Sequence, residues 1–277
     1  MGRSKFHTGV LAAAGVLAVL VAAASPAGAA PASGSRLSTS IVAASSVQVG
    51  AVAHVDVRVT NTGSKNTTVP WTVTIGLPRT NTSPTQHVMG TIGALPSGCT
   101  LVGTNIACTF TTALSRSSSA NTRVIGFDIT MPYSTAPLTV SASASAANNI
   151  GTAGPASHTF GQTFFTPTAP PAFATVSHCT GRDLTSYYEC TLYPTSISSH
   201  TVDLLAGGTL DLSSNGASAI GFAGTWSVSG TQLTMTYTDG GVPAGTFVGR
   251  GVSANCWEGP MVFAPPSEFN AMYRVCR

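Results

Sequence analysis

The chain reads as an all-β protein built in two successive parts: a sandwich, then a small disulfide-braced antiparallel barrel or sandwich. Three observations predict this. Apolar residues recur at every second position over long stretches, which is the period of a half-buried strand and not of a helix. Gly-, Asn-, Ser- and Pro-bearing turn signals break these runs at short intervals. Only 8% of the 277 residues are charged while 43% are hydrophobic, so the chain is too apolar to be disordered and too finely interrupted for long helices.

The first segment is a secretory signal. Arg3 and Lys5 precede an apolar run from Val10 to Ala24, and Ala27, Gly28 and Ala29 form a small-residue cleavage site. The run is shorter than the ~20 residues a bilayer-spanning helix needs. Residues 1–29 are therefore read as a signal peptide, residues 30–44 as a flexible lead-in, and the protein as secreted or cell-surface, with no transmembrane segment after cleavage. The alanine-rich signal has a bacterial character. Cleavage removes two of the twelve Lys and Arg residues and leaves ten against nine acids. So balanced a chain is not a generic binder of nucleic acid.

Residues 45–166 carry the first series of strands. In "AVAHVDVRVTN", Ala53, Val55, Val57 and Val59 share one face, with His54, Asp56, Arg58 and Thr60 on the other. The turn "NTGSKNT" follows, then "WTVTIGLP", with Trp71, Val73 and Ile75 on one face. "GCTLVGTNIACTF" forms a hairpin, and "TRVIGFDITMP", "PLTVSASASA" and "SHTFGQTFFT" complete the set. Seven or so strands in this length predict an antiparallel sandwich. The stretches "VQVGAVAHVDVRVTNTGSKNT", "VTIGLP", "SGCTLVGTNIACTF", "RVIGFDITMP" and "TVSASAS" resemble the bacterial immunoglobulin-like repeat domain of secreted and surface proteins, over about 45–150. That resemblance implies an immunoglobulin-like sandwich with a spacer, adhesion or interaction role, and no catalytic residues to carry over.

The Pro-rich run at 167–172 is extended and stiff, and marks a linker. Beyond it, residues 173–277 hold the candidate strands "YYECTLY", "TVDLL", "GTLDL", "GTWSVS", "QLTMTYT", "TFVGRGVS", "WEGPMVF" and "AMYRVC". Trp226 and Val228 share a face, as do Leu233, Met235 and Tyr237. This pattern predicts an up-and-down barrel or compact sandwich. The stretch "GTWSVSGTQLTMTYTDGGVPAGTFVGRG" resembles hairpins of avidin-like and lipocalin-like barrels. It departs from the lipocalin pattern because its Gly-x-Trp lies in mid-domain, so no binding residue is carried over.

All six cysteines follow the signal, and in an exported chain they point to disulfides. Cys99 and Cys108 flank a turn near Gly103, and Cys256 and Cys276 flank one near Pro265–Ser267, so each pair would face across a hairpin. Cys179 and Cys190 remain for each other. The alternative joins Cys179 to Cys276 and ties the first strand of the second part to its last. No C-x-x-C or H-x-x-x-H spacing points to zinc, and no metal or cofactor is expected.

No G-x-S-x-G, H-E-x-x-H or Walker loop is present. His54 and Asp56 lie on an outward face, His178 adjoins a cysteine expected in a disulfide, and Asp183, Glu189, Asp203 and Asp211 match no calcium loop. No catalytic residue is expected. Ligand-binding candidates are Arg250, Trp226, Tyr237 and Trp257. The first would be one if it points inward at a barrel mouth; if Val248 and Val252 face out, Arg250 faces out with them. The aromatics could bind a glycan or pack a core. Glu258 is expected on the outer face as a solvated position. The functional expectation is a non-catalytic extracellular binding or interaction protein whose partner is a protein, glycan or small apolar ligand. A small-ligand carrier using the barrel is the alternative, and an extracellular hydrolase the third reading.

Overall fold

The computed structural model describes residues 33–81, 85–117, 119–151, 154–167, 173–181, 183–192, 197–212, 222–265 and 270–277. The predicted signal peptide and most of the predicted linker lie outside the described residues, as does most of the turn expected at Pro265–Ser267.

The first ten strands are β1 (Leu37–Ala43), β2 (Ser46–Gln48), β3 (Val52–Asn61), β4 (Trp71–Gly76), β5 (Thr91–Ile92), β6 (Cys99–Val102), β7 (Asn105–Phe110), β8 (Thr122–Thr130), β9 (Leu138–Ser145) and β10 (Ala156–Thr163). They form one sheet in the order β1-β3-β8-β5 and a second in the order β2-β10-β9-β4-β7-β6. Strands β2 and β10 run parallel. The core lies between the sheets, as the alternation requires. Val55, Val57 and Val59 of β3 and Ile125, Phe127 and Ile129 of β8 join one buried cluster with Trp71, Val73 and Ile75 of β4 and Leu138 and Val140 of β9. Each such side chain contributes roughly 1.5–3 kcal/mol by leaving water. Trp71 meets its polar requirement by donating Nε1–H to the Thr112 carbonyl at 2.8 Å.

The lead-in read as flexible is a strand in its later part. β1 pairs with β3 from Leu37↔Asn61 to Ala43↔Val55. Its sequence, "LSTSIVA", hides this because a hydroxyl does part of the anchoring: Thr39 Oγ1 donates to the Ala142 carbonyl at 3.1 Å, on the opposite sheet.

The remaining elements are β11 (Phe173–Gly181), α1 (Tyr187–Leu192), β12 (Ile197–Leu204), β13 (Thr209–Asp211), β14 (Phe222–Ser229), β15 (Gln232–Asp239), β16 (Val242–Gly251), β17 (Cys256–Phe263) and β18 (Asn270–Cys276). Strands β11 to β18 pair in sequence order, and β18 returns to β11, closing an eight-stranded antiparallel barrel. Eight strands leave an interior that side chains can fill. Ala174, Val176, Val202, Leu204, Leu233, Met235, Phe247, Trp257 and Val275 are among the buried cluster that does so. Gly249 makes room for one of the largest: a Cβ there would lie 2.3 Å from the Phe247 ring.

The stretch "YYECTLY", expected as a strand, begins instead with helix α1. The reason is a capping box. Ser186 Oγ accepts the Tyr188 N–H at 3.1 Å, and Glu189, three residues after the cap, reaches back to accept the Ser186 N–H at 3.1 Å and the Thr185 N–H at 2.6 Å. The Ser-x-x-Glu signal at 186–189 outweighs the β preference of two tyrosines.

Three disulfides join Cys99–Cys108, Cys179–Cys190 and Cys256–Cys276, the pairing that hairpin geometry predicts. The first and third link directly opposed cross-strand residues. The second ties α1 to the outside of β11.

Candidate binding cleft at the junction of sandwich and barrel

The sandwich rests on the barrel wall through α1 and the strand ends around it. Glu189 is fully buried, and its second carboxylate oxygen accepts the Asn81 N–H from the sandwich at 3.0 Å. Ser186 Oγ–H donates to the Tyr133 carbonyl, the Thr135 N–H to the Thr185 carbonyl at 2.7 Å, and the Tyr188 hydroxyl to the Gly90 carbonyl at 3.3 Å. Where the chain leaves the sandwich, the Phe165 N–H donates to the Gly251 carbonyl at 2.8 Å.

Beside this joint, the barrel's outer face presents a row of charge. Cross-strand register places Arg250 of β16 opposite Glu258 of β17, and Glu258 opposite Arg274 of β18. Arg274 donates Nε–H to Glu258 Oε1 at 2.6 Å, and Nη2 approaches the same oxygen. Its guanidinium lies 4.9 Å from the Tyr187 ring centre, and that of Arg250 lies 5.7 Å from the Phe164 ring. Although it points out of the barrel, Glu258 is only 3% exposed. The expected solvated position is thus corrected: the sandwich covers it. Burial pushes the Glu258 carboxyl upward from its ordinary pKa, and the charge and hydrogen bond of Arg274 pull it back. Burial likewise raises Tyr133, which feels both Arg250 and Glu258.

A cavity of ≈ 350 Å³ opens over the pair, walled by Val49, Pro132, Tyr133, Tyr188 and Val252, with Glu258 and Arg274 contributing its charge. Its volume is in the range of small-molecule pockets, with mostly apolar walls and a few fixed polar groups.

The four sequence candidates do not meet at one place. Tyr237 and Trp257 are buried in the barrel core. Burial pushes the Tyr237 hydroxyl above the usual tyrosine range. Trp226 is half-buried against that core, opposite Met235, and donates Nε1–H to the Leu205 carbonyl at 3.0 Å. Arg250 faces outward with the 36%-exposed Val248, and its Nη1 approaches Thr231 Oγ1 at 3.5 Å. Alternation along single strands cannot reveal that Arg250, Glu258 and Arg274 line up, because the register of three strands decides it. Nor does it reveal Tyr133 and Tyr188, which arrive from the connection between β8 and β9 of the sandwich and from an unforeseen helix.

The polar clusters considered from sequence have structural uses. His54 is bracketed by two acids, Nδ1 at 2.7 Å from Asp128 and Nε2 at 3.2 Å from Asp56. The Asp128 hydrogen bond chiefly raises its pKa. With both ring nitrogens taken, the ring has none to offer a nucleophile. Cys179 is tied up in its disulfide, and the Glu189 carboxylate is spent on three backbone N–H groups. Among the described residues, no group of three or more His, Cys, Asp or Glu could hold a metal ion, and no helix is long and apolar enough to cross a membrane.

No protein-family model matches the chain, and no curated protein matches it. Among solved structures it is similar to the CARDB domain of a Pyrococcus furiosus protein, solved in complex with di-metal ions, at 15% identity and a TM-score of 0.31, over 47% of this chain and 90% of that one. It is also similar to a DUF4466 family protein from Parabacteroides merdae at 11% identity and a TM-score of 0.29, over 88% of this chain and 99% of that one.

Proposed function

We propose that the chain is a secreted, non-catalytic binding protein that recognises its ligand in the cleft between the sandwich and the barrel wall. The observation that carries this reading is the cleft itself: an ≈ 350 Å³ cavity with apolar walls over the Glu258–Arg274 pair. The disulfides support an oxidising compartment outside the cytosol. The buried side chains inside the barrel favour the cleft over a carrier lumen. The engagement of His54 by two carboxylates and of Cys179 by a disulfide favours binding over hydrolysis.

Native mass spectrometry of the full chain exported from a bacterial host tests this. The expected species begins at Ala30, contains three disulfides and carries a non-covalent adduct. The adduct should be lost when Glu258→Gln and Arg274→Met are combined, a change that removes the pair without stranding a charge. A chain still carrying residues 1–29, an adduct-free mass, or an adduct that survives in the double variant overturns the proposal.

A further inference from the structure

At one end of the barrel two histidines turn inward. His178 follows the inward trace of Ala174 and Val176 on β11, and His200 that of Val202 and Leu204 on β12. His178 pairs across the ladder with Ser198 and His200 with Val176, so the two are diagonal neighbours on adjacent strands, within reach of each other's long side chains. Their ring centres are 5.4 Å apart with planes at 67°. Tyr273 of β18 lies 4.9 Å from His178 and 6.3 Å from His200 and walls the pair on one side. Each imidazole also leaves one buried nitrogen, Nδ1 of His178 and Nε2 of His200, without a hydrogen-bond partner. Buried polar atoms are nearly always satisfied, and an orphan calls for an explanation such as an ion or ordered water. Two from neighbouring rings call for a shared one.

We propose that His178 and His200 form a two-imidazole site for a late first-row divalent cation at the barrel end, with water completing the coordination. Ring spacing is right for it. A metal–nitrogen bond of ~2.0–2.1 Å, added to the depth of the nitrogen in its ring, puts each ring centre about 3.2 Å from a shared ion. Two such arms spanning 5.4 Å enclose an angle of about 115°, near the tetrahedral value a zinc-type ion adopts. Two protein ligands leave coordination positions open, which suits reversible capture better than a permanent structural ion.

Zinc sulfate titrated into the full chain at pH 7.5, followed by imidazole ¹H–¹⁵N correlation spectra, tests the site. The ring signals of His178 and His200 should shift together at micromolar zinc, before those of His54, His87 and His158. His178→Gln and His200→Gln should each weaken binding at least tenfold. The idea fails if both signals stay still at millimolar zinc, if they move at different zinc concentrations, or if either variant binds like the parent. The titration of the parent chain decides the matter even where a variant does not fold.

Discussion

Glu258 shows how one residue's properties depend on what covers it. It points away from the barrel core, as Trp257 and Met261 point in, yet it is 3% exposed because the sandwich sits over it. Its pKa is raised chiefly by burial, so the folded chain holds this proton more tightly than the unfolded chain does. The sign follows from linkage. Below the unfolded value near 4.5 both states are protonated. As pH rises through the raised folded value, the folded state loses stability relative to the unfolded one, and the loss then levels off. Glu258→Gln cannot ionise, so its stability relative to the parent should rise over that interval and stay flat on either side. Urea midpoints of both proteins between pH 4 and pH 8 measure this, and a difference that does not change with pH refutes it. At this scale the sequence was legible in part. Alternation placed Val55, Val57, Leu233, Met235 and Tyr237 in the two cores, and put Glu258 on the outside. It could not supply the neighbours, Val49 and Tyr133, which lie more than a hundred residues away in the chain and line the same cavity.

The elements differ in how plainly they announce themselves. Strands with valine or isoleucine at every second position, such as β3 and β8, were legible because one face is wholly apolar. The hairpin of β14 and β15 was legible for the same reason, with Trp226 opposite Met235 and Val228 opposite Leu233. β1 was hidden because Ser and Thr hydroxyls replace apolar contacts. α1 was hidden because its six residues are too few for a helical period, although its capping box was in plain view. Ser186→Ala should cost about 1–2 kcal/mol, the upper part of the range for an N-cap, since the same hydroxyl also donates to Tyr133 across the joint. Chemical denaturation measures the loss. A change within about 0.3 kcal/mol, well below that N-cap range, would show that the cap and joint contribute nothing. The helix stays tethered either way, because Cys190 remains bonded to Cys179.

For the whole molecule, the joint makes sandwich and barrel one compact unit from Ser33 to Arg277. Removing the buried Phe247 ring, with Phe247→Ala, should cost about 3–5 kcal/mol through lost burial and a cavity. If the joint couples the two halves, hydrogen exchange read by mass spectrometry should show peptides from β3 and β8 opening at the same lowered denaturant concentration as peptides from β15 and β16. Faster exchange confined to the barrel peptides would mean that the halves unfold independently. The two-part β architecture was legible from period and punctuation. The cleft was not, because it belongs to neither part alone and arises where their surfaces meet.

Closure of β11 on β18 has a consequence for self-association. Within the described barrel each strand has a partner on both sides, so a neighbouring molecule finds little there to extend. The sandwich sheets instead end on β1, β5, β2 and β6, and a sheet edge is where another chain can pair. At the β6 end, Leu101 is 48% exposed and Val102 59%. Under crowding or partial heating, fibre growth by strand borrowing should start from this margin of the sandwich. A single lysine at Leu101 is the change that would raise the chain's solubility while leaving the barrel and the cleft untouched.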